Sequence, residues 1–253
     1  MKRRAFRWQT LWEAPAAAVG FLTVMPVPEP WAERGTSHAT TCFPWVGVPL
    51  GALVLFVSRA PADATVGATL AVAALALATG GLHWDGWADV MDAAITPGLT
   101  RSRRLEILED PRVGAHAAVG VALLVVLRVA ALTAVPAWGV LAGAVLGRWT
   151  MVATLRWAPA LKSHGAGARL APQARPVAAA LAPIALVAAT LALGVPPSRV
   201  AWAIGVGAAV GLLFSAFVVA RLGGMNGDGH GATGLLVESA VWAAAAEAGG
   251  ALA

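Results

Sequence analysis

The sequence is poor in charge and nearly free of cysteine. Only 12% of its 253 residues are Asp, Glu, Lys or Arg, whereas 58% are hydrophobic. The single cysteine, Cys42, excludes an internal disulfide framework and a cysteine-based metal cluster. No linker or low-complexity tract divides the chain, and its basic start lacks the apolar core and the cleavage site of a signal peptide. We therefore expect a single integral membrane domain over residues 1–253.

Apolar stretches long enough to cross a bilayer recur along the chain. They predict an all-α fold, a polytopic transmembrane helical bundle of about 6–7 spans. The segment 14–25 is too short to cross, and we interpret it as re-entrant or interfacial. The predicted spans lie near residues 43–58, 64–82, 115–135, 138–155, 177–195, 200–220 and 233–252.

The basic residues are distributed unevenly between the predicted loops. Most of them precede the first span or fall in loops near 83–113, 156–176 and 221–232, all on one side of the membrane. The opposite side holds only Arg59 and Arg199. By the positive-inside rule the basic side is cytoplasmic. The net charge of +5 therefore indicates membrane orientation, and we expect no nucleic-acid partner.

The segment GGLHWDGWADVMDA, residues 80–93, contains three aspartates, Asp85, Asp89 and Asp92. In a continuous helix they occupy positions i, i+4 and i+7 on one face. Stacked carboxylates repel each other unless a cation or solvent compensates them, and oxygen ligands at this spacing suit Mg²⁺. A solvated acidic helix face is the alternative. The metal site is favoured because the segment directly follows a membrane-spanning apolar run.

A glycine-rich loop, residues 221–234, is the second candidate site. It has six glycines together with Asn226, Asp228 and His230. Such a backbone approaches a ligand closely and offers amide hydrogens to an anion, although a flexible connector is also glycine-rich. The loop is not a Walker A motif, because no GKS or GKT follows. An acid at position 228 would complete a metal site begun by the aspartate face of 85–92.

Two other polar residues near these loops are candidates for substrate binding. Arg112 lies between Asp110 and Gly114 at the mouth of a span, where a guanidinium would hold a phosphate through two hydrogen bonds. His83 lies about 200° around the helix from Asp85. A role shared with the aspartates therefore requires the helix to begin after His83.

Several further charged residues have structural alternatives. A polar helix on the membrane surface explains the arginines of segment 101–104 as well as a functional role does. Charges inside apolar spans are expensive and usually face the bundle interior. Structural pairing is favoured for Arg128, while pairing and function are equal alternatives for Arg148. The same two alternatives, structural pairing and function, apply to Glu238.

These motifs together resemble those of the cobalamin synthase family, the adenosylcobinamide-GDP ribazoletransferases. The aspartate segment 80–93 is similar to the family's signature, and the other matching segments follow in the same order and spacing. They are FLTVMPVP at 21–28, FPWVGVPLG at 43–51, EDPRVGAHAAVGVAL at 109–123 and GGMNGDGHGA at 223–232. Val24, Pro111, Asn226 and Leu235 depart from the residues that the family more often has.

The resemblance implies a multi-pass, Mg²⁺-dependent enzyme of the bacterial inner (cell) membrane that performs the final assembly of vitamin B12. Such an enzyme joins adenosylcobinamide-GDP to α-ribazole or its 5′-phosphate, releases GMP, and gives adenosylcobalamin or its 5′-phosphate. A ribose hydroxyl attacks the phosphorus nearer cobinamide. The active-site loops would face the cytoplasm.

Roles for individual residues follow when the motifs are combined with this reaction. Asp85, Asp89, Asp92 and Asp228 would hold Mg²⁺, and Asp89, Asp85 and Arg112 would be catalytic, with Asp89 accepting the hydroxyl proton. The expected substrate-binding residues are Arg112, Gly224, Asn226, Gly227 and His83.

Two other functions remain as alternatives. An enzyme like the CDP-alcohol phosphatidyltransferases also uses clustered aspartates, but its motif has Arg where Asp89 stands. A cation transporter would place carboxylates near the bilayer midplane, whereas these cluster at the ends of spans. The sequence leaves open homo-oligomerisation and the groups that recognise guanine, corrin and benzimidazole.

Overall fold

The computed structural model describes residues 10–161 and 165–250, and within them it contains helices and no β-strand. The prediction of an all-α bundle is therefore confirmed. One π-helical turn, Met91–Ile95, and one 3-10 turn, Ala171–Gln173, interrupt the α-helices. The α-helices are α1 Thr10–Leu22, α2 Glu29–Arg59, α3 Ala64–Ala78, α4 Leu82–Val90, α5 Arg101–Leu108, α6 Ala115–Leu132, α7 Ala137–Trp157, α8 Ala166–Leu170, α9 Pro176–Ala179, α10 Leu181–Ala192, α11 Pro197–Leu222 and α12 Gly227–Gly250.

Four helices, α2, α6, α7 and α11, are long and apolar enough to cross a membrane. Two bent pairs qualify only when each is taken as one element. Ala64–Ala78 with Leu82–Ile95 bends by 95°, and Gly167–Gln173 with Pro176–Ala192 bends by 85°. Four to six candidate spans result, and the chain is a polytopic membrane protein.

The last predicted span, residues 233–252, overlaps a helix, α12, that begins earlier in the chain than the predicted span does. Helix α12 already begins at Gly227, and it packs against α4, α6, α7 and α11 at the centre of the bundle. A Cβ at Gly147 of α7 would lie 2.6 Å from the carbonyl oxygen of Gly234, so glycine permits this close approach. The final residues of the predicted span lie outside the described part of the chain.

The short N-terminal segment is a helix, α1, that packs along α2. Its 13 residues extend about 20 Å, less than the hydrocarbon thickness of a bilayer. Buried Glu13 accepts a 2.6 Å hydrogen bond from Arg34 of α2. The length and this contact agree with a segment that does not cross the membrane alone.

Candidate functional site

The three loops that the sequence placed on the basic side meet in space. Arg101, from the first loop, donates a 2.7 Å hydrogen bond from Nε to the carbonyl oxygen of Leu222 in the third. The second loop pairs with the third through the backbone, since Met225 N–H donates to Pro159 (2.8 Å) and Leu161 N–H donates to Met225 (2.9 Å). Residues distant in sequence therefore form one polar end of the bundle.

A sharp turn before α4 directs the aspartate segment across the polar end of the bundle. Gly80 and Gly81 connect α3 to α4 with φ values of 62° and 70°, a left-handed conformation that favours glycine. Helix α4 follows at 95° to α3 in the bent pair. It carries Asp85, which is exposed, and Asp89, which is half-buried.

Asp228 comes to the same face from the first turn of α12. A Cβ at Gly86 would lie 2.7 Å from the Cα atom of Asp228, so the absence of a side chain at Gly86 lets α4 and α12 touch. The negative charges of Asp85, Asp228 and Asp92 all act on the carboxylate of Asp89. The structure thus brings Asp228 beside the aspartate pair, as the sequence suggested.

Asp92 occupies a different position from the other aspartates. It lies in the π-helical turn, where its Oδ2 accepts a hydrogen bond from Gly114 N–H (2.6 Å) and its Oδ1 accepts one from Ala117 N–H (2.8 Å). These amides are at the N-terminus of α6, which has no side-chain cap of its own. A Cβ at Gly114 would lie 2.7 Å from Oδ1 of Asp92. Asp92 therefore caps α6.

Two arginines from other helices stabilise the π-helical turn by donating hydrogen bonds to backbone carbonyl oxygens. Arg104 and Arg221 both donate to the carbonyl oxygen of Ala94 (2.9 and 2.8 Å), and Arg104 also donates to Thr96 (2.8 Å). Arg104 is only 3% exposed, unlike Arg103, which is exposed and pairs with Glu106. The sequence does not reveal this role of Arg104 and Arg221, because nothing in their spacing indicates carbonyl partners.

Among the residues that the structure describes, no three His, Cys, Asp or Glu side chains form a group that could hold a metal ion by themselves. Mg²⁺ commonly keeps several waters and binds through one or two carboxylates together with substrate phosphates. An open face bearing Asp85, Asp89 and Asp228 supplies hard oxygen donors and mutually repelling charges, which fits that mode of binding. The Mg²⁺ site itself stays a prediction.

Arg112 is exposed on the segment that leads into α6. Its side chain is 84% exposed and forms a two-pronged ion pair with Asp110, at 2.9 Å from Nε and 2.5 Å from Nη2. This guanidinium lowers the pKa of Asp110 to about 2, so the pair is intact at neutral pH. Arg112 lies two residues before Gly114, whose amide Asp92 binds. A phosphate would have to compete with Asp110 or use the remaining N–H donors.

The glycine-rich loop leads into α12, and its residues form hydrogen bonds and close contacts at the start of that helix. Asn226 accepts a hydrogen bond from Gly229 N–H (3.1 Å) and donates from Nδ2 to Oδ2 of Asp228 (2.6 Å), so it orients that carboxylate. A Cβ at Gly224 would lie 2.8 Å from a carbonyl oxygen of the second loop, which gives this glycine a packing role. Gly227 is exposed, with open space around it.

The two histidines near the site face the bundle interior. Helix α4 begins one residue before His83, so the structure does not bring that side chain to the aspartate face. His83 is buried against Gly231, and its Nε2 has no hydrogen-bond partner among the described residues. His230 is buried and pairs through Nδ1 with Oγ1 of Thr154 (2.9 Å).

A second charged cluster lies buried within the bundle. Glu238 of α12 pairs with Arg148 of α7 at 2.8 Å and with Arg128 of α6 at 3.7 Å. Arg128 also donates to Oγ of Ser239 (2.9 Å) and lies over the ring of Trp242, 4.2 Å from its centroid. These contacts agree with structural pairing, which the sequence favoured for Arg128 and left open for Arg148.

Comparisons with known proteins give the same family throughout. Residues 14–246 match the model of the cobalamin-5-phosphate synthase family. A curated protein of Desulforamulus reducens named adenosylcobinamide-GDP ribazoletransferase is 33% identical over 233 residues, 88% of this chain and 91% of that protein. Proteins with the same name in Sinorhizobium medicae and Chlorobaculum tepidum are both 34% identical, covering 93% and 90% of this chain and 96% and 93% of their own lengths. No solved structure matches the chain significantly.

Proposed function

The chain belongs to the cobalamin-5-phosphate synthase family, and from this premise we propose that it is an adenosylcobinamide-GDP ribazoletransferase. It would join adenosylcobinamide-GDP to α-ribazole or its 5′-phosphate, release GMP, and complete the assembly of cobalamin. The observation that carries the proposal is the contact of Gly86 with Asp228, which gathers carboxylates from two distant segments at one end of a membrane bundle. The relatives that bear this name support it.

The reaction is a phosphoryl transfer to an alcohol. A ribose hydroxyl of the ribazole bonds to the phosphorus on the cobinamide side of the diphosphate, and the bond from that phosphorus to the oxygen of the departing GMP breaks. The hydroxyl proton passes to a base. Such a reaction depends mainly on in-line positioning and on neutralised charge. We assign the proton to a carboxylate oxygen of Asp89, which is half-buried and central among the acidic groups.

The acidic face needs a cation before an anionic diphosphate can approach. We infer that Asp85, Asp89 and Asp228 hold Mg²⁺, which would supply charge neutralisation and a template for the two phosphates. Asp92 remains a predicted ligand, although both its oxygens accept backbone hydrogen bonds. Arg112 is the proposed partner of the remaining phosphate oxygens, because its exposed guanidinium is near this end of α6.

We further propose that the acidic face lies at the cytoplasmic side of a bacterial inner membrane. The loops that carry it also carry most of the arginines, which favours this orientation. A nucleotide-bearing substrate and the GMP product would then exchange directly with the cytosol.

The proposal is tested with purified protein in detergent, adenosylcobinamide-GDP, α-ribazole and Mg²⁺. We expect release of GMP in equal amount to the cobalamin formed, loss of both with EDTA, and recovery with excess Mg²⁺. A parallel reaction with α-ribazole 5′-phosphate determines which acceptor is preferred. Absence of GMP from protein that remains monodisperse would contradict the proposed function, and cation flux in proteoliposomes would favour the transporter instead.

The contact at Gly86 gives a prediction for the helix interface. We expect Gly86→Ala to lower kcat by about 10- to 100-fold, because its Cβ would lie 2.7 Å from the backbone of Asp228 and would push the carboxylates apart. Gly205→Ala is the matched control: it adds the same methyl group to a helical glycine with nothing within 4 Å. The measurement is GMP release at saturating substrate. Equal activity of both variants would show that the contact does not position Asp228.

A further inference from the structure

Helix α5 contacts two separate segments of the candidate site through arginines on one of its faces. Arg101 and Arg104 are three residues apart, so their side chains are neighbours on the helix surface. Arg101 donates from Nε to the carbonyl oxygen of Leu222, the last residue of α11 (2.7 Å). Arg104 donates to the carbonyl oxygens of Ala93 (2.7 Å) and Thr96 (2.8 Å), in and just after the π-helical turn.

A third arginine joins the same two segments directly. Arg221 lies in the last turn of α11, and its Nε donates to the carbonyl oxygen of Ala94 (2.8 Å), which also accepts a hydrogen bond from Arg104 (2.9 Å). Carbonyl oxygens at the C-terminal end of a helix lack donors within the helix and carry partial negative charge, which favours cations there. We call Arg101, Arg104 and Arg221 the arginine bridge.

The two segments that the arginine bridge joins are those that carry the carboxylates of the acidic face. Asp89 lies two residues before the π-helical turn, and Asp228 lies seven residues after Arg221. Between them, Gly223 has a φ of 84°, and a Cβ at this residue would collide with the guanidinium of Arg101. Arg101 therefore packs directly against the chain that leads from α11 to Asp228.

We propose that the arginine bridge consists of positioning residues, which fix the separation between the carboxylates of Asp89 and Asp228. Its hydrogen bonds end on backbone carbonyl oxygens, so they hold the course of the chain in both segments. Arg104 is buried, and hydrogen bonds are stronger where water is excluded. The inference rests on the proposed function, because a phosphoryl transfer tolerates only small displacements of the groups that position it.

The kinetic test removes one arginine at a time. We expect Arg104→Met and Arg221→Met each to lower kcat for GMP release by about 10- to 100-fold, and to raise the Mg²⁺ concentration for half-maximal release by a similar factor. KM for α-ribazole should stay unchanged, because the loss falls on positioning of the reacting groups. Arg104→Lys retains a charged donor and should recover part of the kcat.

Arg103→Met is the matched control. Arg103 is on the same helix, but it is exposed and pairs with Glu106 of that helix, so this variant should keep the wild-type kcat. The double variant Arg101→Met, Arg104→Met should be little slower than the slower of its single variants, because both residues act through one structure. Arg221 is only half-buried, so Arg221→Met tests the inference even if Arg104→Met does not fold.

Hydrogen exchange in detergent gives a measurement that requires neither substrate nor metal. The amides of Gly114 and Ala117 are bound by Asp92, which lies in the π-helical turn. If the arginine bridge holds that turn, Arg104→Met should speed exchange of these amides about tenfold, the usual effect of one lost hydrogen bond. Exchange in the buried part of α7 should stay as in the wild type.

The outcomes separate the arginine bridge from the proposed function. If the wild type releases GMP and the folded Met variants of Arg104 and Arg221 keep its kcat, the positioning role is wrong while the function stands. Faster exchange throughout the bundle, with kcat per folded protein unchanged, would show that the arginines only support the fold, and would also overturn the inference. Failure of the wild type to release GMP would instead reject the function, whatever the exchange rates of the variants.

Discussion

Asp89→Asn is expected to reduce kcat for GMP release by about 10³-fold or more while the protein still inserts and folds. The amide has nearly the shape of the carboxylate, but it neither accepts the hydroxyl proton nor carries the charge that a divalent cation requires. Asp89 is half-buried, and the charges of Asp85, Asp228 and Asp92 all act on it. Asp85→Asn should give a loss of similar size, because it removes a proposed cation ligand from the same face.

The matched control for these variants is Asp63→Asn. Asp63 caps α3 by accepting a 2.8 Å hydrogen bond from Val66 N–H, and asparagine caps helices about as well as aspartate. We therefore expect wild-type activity from this variant. All three proteins should elute from size exclusion in detergent like the wild type. Near-normal cobalamin synthesis by both Asp85→Asn and Asp89→Asn would end the proposed mechanism.

The local pattern of the aspartate segment was sufficient to predict that two of the acids share a face, whereas their role as a metal site stays a prediction. Asp85 and Asp89 are one turn apart on α4, so their shared face follows from helix geometry alone. The approach of Asp228 was a hypothesis based on charge, and it needed Gly86 to become a contact between α4 and α12. A glycine between two acids is visible in a sequence, but the helix that packs on it is not.

Asp92 shows where helix periodicity fails. A continuous α-helix would place it on the face of Asp85 and Asp89, but the π-helical turn Met91–Ile95 changes the register. Hydrogen bonds from Arg104 and Arg221 hold that turn. Because both donors lie outside the helix that they hold, no pattern within the aspartate segment could have indicated the change.

The span prediction has a related physical limit. Hydropathy measures how well a segment suits lipid, whereas α12 is surrounded mainly by other helices and contains small and polar residues. The predicted span 233–252 therefore overlaps α12 but misses its start at Gly227. The same central position explains why α12 carries Asp228 at its exposed end and Glu238 within the bundle.

Glu238→Gln is expected to lower the free energy of unfolding by about 3–5 kcal/mol, the usual cost of breaking a buried ion pair. Glu238 is 1% exposed and is the carboxylate that both Arg128 and Arg148 contact. Its loss leaves two guanidinium groups buried without a counter-charge. Thermal unfolding in detergent should show a large fall in Tm. Glu247→Gln, an exposed site on the same helix, should change stability by no more than about 0.5 kcal/mol.

Replacing all three residues of the buried charged cluster tests whether the stability of the bundle depends on their charges or on the volume that they fill. We expect the triple variant Arg128→Met, Arg148→Met, Glu238→Leu to recover most of the stability lost in Glu238→Gln, because apolar groups of similar volume avoid the desolvation cost of burying ions. GMP release by the triple variant then measures whether the cluster only supports the fold. Arg128 also lies 5.6 Å from the ring centroid of Trp84, next to Asp85, so a stable but slow triple variant would show that the cluster also positions the aspartate helix. If Glu238→Gln is as stable as the wild type, the inference that this substitution leaves two buried arginines without a counter-charge is wrong.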